Sequence, residues 1–498
     1  MWFEIACLVI VLMIKILLDY GRLQKFPPGP RGLPFVGNMF DIAKLVKETK
    51  FYSNAWCRLA ERYGPVVGLR LGFDEPLIIV SGKPAITEML NRPEFDGRPD
   101  GFMYRYRSGG IRQGILFTDT DVWHSQRRFS LKTLKQFGFG KRSTEHILQN
   151  DAITLTNVIM ELTKNGGITN IRSIISAAIV SNLWLLIDGT KFDIGTENSN
   201  LNEAIHIVKD LIRSGNVSGG ILNQFPFLRH LFPNLTGFSI FVERQKRVNG
   251  FFKEIISRHK WNKRNEECSN FIDVYLQEIE AQKTNSSSFF NEDQLLYLVK
   301  DLFSAGVDTT DNVIGFVIAF LVVHQDVQDK VYAEICRVIG KDDYPTLDDK
   351  DRLPYLKAVV IEVLRLANVG PTSIPHRAIT DSNLLGYEIK KNYTLLANFK
   401  SVHMDKEHWG DPEVFRPERF IDEKGEFIND SWILSFGLGR RKCLGETLAK
   451  NTIFLFMACL LQKLRFMLPS NHPTPCLQGV DGFIVGPPMM DIIVVRRY

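Results

Sequence analysis

Apolar residues recur at three- and four-residue spacing over much of the chain, which is the pattern of helices that bury one face. The longest such run covers residues 291–324. There Leu295, Leu296, Val299, Leu302, Phe303 and Gly306 share a face, and Asn291 with Gln294 suits an N-terminal cap. A second run opens at Leu444, where Leu448, Phe454, Met457 and Leu461 form a stripe and Glu446 stands in the first turn. Strand-like runs are short, at 66–71, 77–80 and 491–495. The pattern predicts a mainly α chain with small sheets.

Residues 2–18 break the amphipathic rule. They are almost wholly apolar, interrupted by Glu4 and Lys15. That length is at the short end of the roughly 17–25 residues that span a bilayer. Arg22, Lys25 and Arg31 follow, which predicts a single anchor with the body on the cytosolic side. A removed signal segment fits less well, because the basic flank follows the apolar run and no small-residue cleavage site stands out. Pro27-Pro28-Gly29-Pro30 reads as a stiff linker. The expected organisation is an anchor over 1–20, a proline-rich hinge over 21–35 and one large domain over 36–498. No Gly/Ser-rich linker, charge block or repeat divides that domain.

Composition narrows the function. The chain has 498 residues, 45% hydrophobic and 23% charged, enough to enclose a cofactor in a substantial core. The net charge of +5 is modest, and basic residues form no run with interleaved aromatics, so nucleic acid is not an expected partner. Seven cysteines contain no C-x-x-C pair. That argues against a disulfide framework or a thiolate zinc site and fits a reducing compartment.

One cysteine differs from the rest. Cys443 lies in Phe436-Gly437-Leu438-Gly439-Arg440-Arg441-Lys442-Cys443-Leu444-Gly445, on a glycine-bracketed loop that opens into an apolar helix. Backbone N–H groups at a helix N-terminus and nearby positive charge favour a thiolate, the form that binds iron. Glycines permit turns and the close approach of a flat macrocycle. Phe436 suits packing behind the sulfur, and Arg441 suits an anionic group such as a haem propionate.

In the long run, Ala305-Gly306-Val307-Asp308-Thr309-Thr310 sets an acid beside two threonines in an apolar helix. That is costly unless the polar groups are satisfied. Glu362 and Arg365 lie three residues apart on one helix face with apolar flanks, and Arg419 is a third candidate for that network.

Taken together these segments resemble the cytochrome P-450 family. The loop matches F-x-x-G-x-R-x-C-x-G at Phe436, Gly439, Arg441, Cys443 and Gly445. The helix matches A/G-G-x-D/E-T-T, and Glu362, Arg365 and Arg419 match E-x-x-R and P-E-R-F. The resemblance covers the chain from the proline hinge to the last strand. It implies a large helical domain with small sheets enclosing haem b, an axial thiolate from Cys443, and an N-terminal transmembrane helix. It implies that Thr309 bonds dioxygen while Asp308 helps to deliver protons, with Ala305 beside the haem. Arg98, Trp123, Arg127, His376 and Arg441 become candidates for holding its propionates. The implied activity is a monooxygenase of the endoplasmic reticulum that uses O2 and electrons from NADPH–cytochrome reductase, with cytochrome b5 as a further donor.

By the same analogy a lipophilic substrate contacts stretches 102–117, 205–222, 303–305, 370–374 and 482–484. These include Phe117, Phe303, Ser304, Gly370, Ile374 and Phe483. A basic face formed by Arg127, Arg128, Lys132, Lys135, Lys141, Arg142, Arg440, Lys442 and Lys450 is the expected docking surface for an acidic donor. The stretch holding Phe225, Phe227, Leu228, Leu231 and Phe232 suits either a membrane-dipping loop or core. The Phe95–Phe102 stretch and Gln126-Arg127-Arg128-Phe129 look like the arthropod branch of the microsomal clan, which includes methyl farnesoate epoxidases and ecdysteroid hydroxylases. Two rival readings remain: a reductase-independent haem-thiolate isomerase or dehydratase, and a non-catalytic haem-binding protein.

Overall fold

A computed structural model describes residues 25–72, 74–137, 142–164, 168–169, 171–194, 202, 205–206, 220–262, 270–470 and 472–497. The expected anchor at 2–18, Cys7, Arg22, Lys141, Cys268 and most of 205–222 lie outside them.

The axis of the fold is the 32-residue helix Glu292–Val323. Asn291 caps it, its side-chain oxygen accepting the Gln294 N–H at 2.8 Å. The Gln294 side chain does not return to the cap. It reaches the loop ahead, accepting the Gly114 N–H at 3.1 Å and donating to the Gly114 carbonyl at 2.9 Å. Among the described residues this is the one helix long and apolar enough to cross a membrane, but most of it is buried inside the protein. It is a core helix.

The Glu446–Lys463 helix packs beside it. Every residue from Thr452 to Gln462 is buried, because Arg142–Leu162, Gln325–Val338, Pro354–Ala367 and the long helix surround it. The one-sided stripe read from the sequence is thus part of an all-round core contact.

The strands are short, as the pattern predicts. One sheet has the order β1 (Val66–Leu69), β2 (Leu77–Ser81), β7 (Thr394–Asn398), β4 (His376–Arg377). A second has β3 (Ile168–Thr169), β9 (Ile492–Arg496), β8 (Leu464–Met467), and β5 (Ser382–Leu384) pairs with β6 (Tyr387–Ile389). β2 and β7 run parallel with Ile79 opposite Leu396, so the chain must cross the molecule between them. β1 stops two residues earlier than its apolar run, because Leu71 bridges to Gly37 instead of continuing the ladder.

The proline segment, expected as a stiff linker, lies against β1. Gly68 N–H donates to the Pro28 carbonyl at 2.9 Å, and a Cβ on Gly29 would stand 2.1 Å from the Gly68 oxygen. Only glycine lets the hinge lie this close to β1.

Candidate functional site

The cysteine loop is built by two left-handed turns, at Gly437 (φ 71°) and Gly439 (φ 68°). A Cβ on Gly439 would meet the Leu90 carbonyl oxygen at 1.9 Å, so this glycine serves the packing of the loop against its neighbour. Gly445 has an ordinary φ of −90°, and the nearest atom to a Cβ there is the Cys443 sulfur at 4.0 Å. Cys443 N–H donates to the Phe436 carbonyl at 2.9 Å and closes the loop. The Gly445 and Glu446 N–H groups point to the sulfur, as the helix start predicts.

Those donors do not ionise the sulfur by themselves. Burial raises the Cys443 thiol above its usual range, outweighing the Gly445 and Glu446 N–H groups and the Arg127 charge. Yet one side of the side chain is exposed. A sulfur enclosed by protein and open on one side becomes a thiolate when a metal cation takes that side. Leu444, the next residue, packs against the cluster that also holds Phe303 and Val307 from the middle of the long helix.

In that middle Ala305 is exposed although its helix is mostly buried. The Thr309 hydroxyl donates to the Ala305 carbonyl at 2.8 Å. Asp308 is 1% exposed, and Asn312 Nδ2 donates to its Oδ2 at 3.2 Å.

A cationic cluster stands beside the cysteine loop. Arg441 donates through Nε and Nη2 to the Asp96 carbonyl at 3.0 and 2.7 Å, and through Nη2 to the Thr118 carbonyl at 2.9 Å. Its guanidinium lies 3.8 Å from the centre of the Trp123 ring. Arg127 Nη2 donates to the Lys442 carbonyl at 2.7 Å. Arg98 holds the Leu116 and Pro375 carbonyls at 2.9 and 3.1 Å. Burial, then repulsion from Arg98, lowers Arg441 to about 8, and burial lowers Arg98 to about 10. Arg441 Nη1 is buried and has no acceptor.

An enclosed set of cations with an orphaned donor fits an anionic ligand. Haem brings two carboxylates and an iron, so the residues present fit the cofactor at both ends. His376 behaves differently from the expected donor. Its Nδ1 contacts the Phe95 carbonyl at 2.7 Å and must carry the proton, which leaves Nε2 an acceptor. Burial and Arg98 hold its pKa well below the usual value. His376 can donate to a carboxylate only after taking up a second proton.

Glu362, Arg365 and Arg419 do meet. Arg365 donates to both Glu362 oxygens at 2.7 and 2.8 Å, and Arg419 Nε donates to Oε1 at 2.9 Å. The sequence did not reveal the link from this network to the cysteine loop. Arg365 Nη1 donates to the His403 carbonyl at 2.7 Å, and His403 Nε2 accepts the Leu434 N–H at 2.9 Å, two residues before Phe436. Burial and Arg365 lower His403 to about 3, so it stays neutral and keeps that acceptor. Asp119 was also missed. It accepts from Arg112, the Arg98 N–H and Arg377, which together overcome burial and hold it at about 2.

The substrate candidates divide. Phe117 is half-buried, with Tyr104 at 5.1 Å and Arg107 over its ring at 4.9 Å. Gly370, Ile374 and Phe483 are half-buried as well. Ser304 is turned back on its own helix, donating to the Lys300 carbonyl at 2.8 Å. Phe303 does not line this side. It is fully buried between Trp184 and Phe252 at 5.4 and 5.5 Å, on the core side of the helix.

A model of the family "Cytochrome P450" matches residues 27–494. Over 490 residues the chain is 35% identical to "Farnesoate epoxidase" of Bombyx mori, covering 98% of both. It is 32% identical over 503 residues to "Probable cytochrome P450 305a1" of Drosophila melanogaster, covering 99% of both. It is 31% identical over 504 residues to "Cytochrome P450 2D3" of Rattus norvegicus, covering 99% of this chain and 97% of that one.

Proposed function

The chain belongs to the cytochrome P450 family of haem-thiolate monooxygenases, and from that premise we propose that it inserts one atom of O2 into a lipophilic small molecule. The reaction is a hydroxylation or epoxidation. Electrons come from NADPH through a membrane-bound NADPH–cytochrome reductase, with cytochrome b5 as a second donor. The carrying observation is Cys443: its backbone N–H is tied to the Phe436 carbonyl, and its side chain is open on one side at the start of a buried helix.

Bound through that sulfur, haem supplies the redox chemistry that activates dioxygen and cleaves its O–O bond. The chain's residues do the rest. Arg441, Arg127 and Arg98 would hold its carboxylates, and Trp123 backs Arg441. The thiolate of Cys443 is kept from full charge transfer by the Gly445 and Glu446 N–H groups. The Thr309 hydroxyl donates to the Ala305 carbonyl and keeps its oxygen as an acceptor toward the open face of the helix, and Asp308 would pass its proton in that direction. Ala305 leaves room there, and Phe117, Ile374 and Phe483 supply apolar walls. The likeness to a farnesoate epoxidase favours a terpenoid acid or ester as substrate.

The test is the difference spectrum of the reduced, carbon-monoxide-bound protein beside that of Cys443→Ser. A long-wavelength band in the wild type and none in the variant is expected. A folded protein without haem, or one whose band survives the substitution, would remove the proposal.

Arg128, Lys132 and Lys135 are exposed on the Thr120–Gln136 helix, next to Arg127 and Lys442. They form the docking face for the reductase. Reversing all three to Glu is expected to slow electron transfer, and to flatten its decline with salt, in stopped-flow reduction. Equal rates at low salt would place docking elsewhere.

The membrane side is read from exposed apolar residues. Leu231 and Leu235 are 62% and 86% exposed, Phe35 at the end of the hinge is 50% exposed, and Phe40 in the Met39–Thr49 helix is 66% exposed. The two groups are neighbours, since Gly37 bridges Leu71 and Gly72 packs on Phe225. Such a patch suits immersion in lipid beside the anchor. In a chain lacking residues 1–24, Leu231→Asp with Leu235→Asp is expected to weaken phospholipid-vesicle binding by about tenfold or more. Unchanged binding would assign the patch to solvent.

A further inference from the structure

Behind Asp308 lies a polar chain that the acid–threonine motif does not include. Arg172, at the start of the Arg172–Asp188 helix, donates from Nη2 to Asn312 Oδ1 at 2.5 Å. It also donates from Nε and Nη2 to Asp311 Oδ2, both at 3.2 Å. Ser176 Oγ donates to the other Asp311 oxygen at 2.7 Å. Asp308, Asp311 and Asn312 are 1%, 0% and 2% exposed, whereas the Arg172 side chain is 28% exposed.

The amide orientation of Asn312 is the informative detail. A guanidinium has no acceptor, so Arg172 forces Oδ1 toward itself. Nδ2 must then face Asp308, to which it donates at 3.2 Å. Asp311 neutralises Arg172 and holds the guanidinium in register, one residue from Asn312 on the same helix. Without Arg172 the amide is free to turn over and set an oxygen against a carboxylate. That contact repels the ionised form and moves the carboxyl from its place.

We propose that Arg172 is a positioning residue for proton delivery, acting through the Asn312 amide to hold the Asp308 carboxyl in its working orientation. This rests on the reading of Asp308 as the proton-holding group. It adds to that reading what aims the carboxyl and from which helix. In the reaction, dioxygen that takes up two electrons and two protons leaves as hydrogen peroxide. With the same two electrons and two protons, dioxygen whose O–O bond is cleaved leaves as one water and oxidised substrate; without substrate, two further electrons and two further protons complete a second water. Electrons come from NADPH through the reductase, and the protons come from water by way of Asp308. A misaimed carboxyl shifts the partition toward peroxide.

The experiment measures hydrogen peroxide released per NADPH oxidised, with the reductase and no added substrate. It compares the wild type with Asp308→Asn, Arg172→Gln and Asn312→Asp. The last keeps the Arg172 contact and the side-chain shape but sets a second carboxyl against Asp308 in place of the donor, so Arg172→Gln, which adds no charge beside Asp308, carries the comparison. Thermal midpoints and the reduced carbon-monoxide band confirm folding. The infrared absorption of protonated carboxyl groups gives a readout independent of turnover. About twofold or more peroxide per NADPH is expected in all three variants. A protonated-carboxyl band is also expected in Arg172→Gln that its double variant with Asp308→Asn loses; a band from Asp311, which loses its counter-charge in the same variant, is told apart by its loss in the double variant with Asp311→Asn. Wild-type peroxide yield in Arg172→Gln and Asn312→Asp, with an increase in Asp308→Asn, would overturn this inference alone. No increase in Asp308→Asn would overturn the reading of Asp308, and the inference with it.

Discussion

Replacing Glu362 by alanine is expected to leave little protein that both folds and retains haem. Glu362 and Arg365 are fully buried. The carboxylate accepts from Nε and Nη2 of Arg365, from Arg419 Nε at 2.9 Å and from the Arg416 N–H at 3.0 Å. Its removal leaves two guanidiniums without their shared counter-charge in a medium that penalises them. Breaking such a pair costs about 3–5 kcal/mol. That is a large part of the roughly 5–15 kcal/mol that holds a domain together. The damage has a direction, because Arg365 also grips the His403 and Pro412 carbonyls at 2.7 and 2.8 Å. His403 in turn holds Leu434 at the root of the cysteine loop. Glu362→Gln keeps the shape and one acceptor and is expected to lose less. Thermal unfolding and haem content per chain are the measurements. A Glu362→Ala protein with wild-type values in both would show that the network is ornamental.

How far the sequence foretold this depends on the range of each contact. The cysteine loop was legible because its parts lie within ten residues, and the turns at Gly437 and Gly439 are local needs of the backbone. The Asn291 cap and the Glu362–Arg365 pair were legible for the same reason. The Gln294 N–H meets the cap as expected because that bond is local, whereas the bonds its side chain makes to Gly114 depend on topology. His403 and the Asp96 carbonyl were invisible on the same ground: each meets its partner only after the sheet and helices are assembled. Phe303 shows a second kind of limit. Periodicity assigns a residue to a face, but a helix buried on most sides has several inner faces, and only packing against Trp184 and Phe252 selects one. The Cys443 thiol shows a third. Its N–H donors could be read from the helix start, whereas the burial that outweighs them is a property of the whole fold.

Arg441→Leu is expected to release haem far faster than the wild type while the haem-free fold changes little. In the polypeptide Arg441 is a strained cation. Burial and Arg98 lower it to about 8, and its Nη1 is buried without an acceptor. Leucine gives up the bonds to the Asp96 and Thr118 carbonyls but also relieves that desolvated charge, so the two effects oppose each other in the empty fold. With a carboxylate present they no longer oppose. The orphaned donor gains its acceptor and the cluster gains its counter-charge, both of which the variant lacks. Truncating one partner of a buried charge pair costs about 2–5 kcal/mol, and at about 1.4 kcal/mol per factor of ten that is roughly 30-fold or more in retention. Arg441→Lys keeps the charge but not the planar fork, and its retention should fall between the two. Transfer of haem to an excess of apomyoglobin gives the release rate, and thermal unfolding of the haem-free protein gives the control. Wild-type release from Arg441→Leu would mean that the carboxylates are held by other residues. A collapse of the haem-free midpoint would mean that the bonds to Asp96 and Thr118 are what this arginine is for.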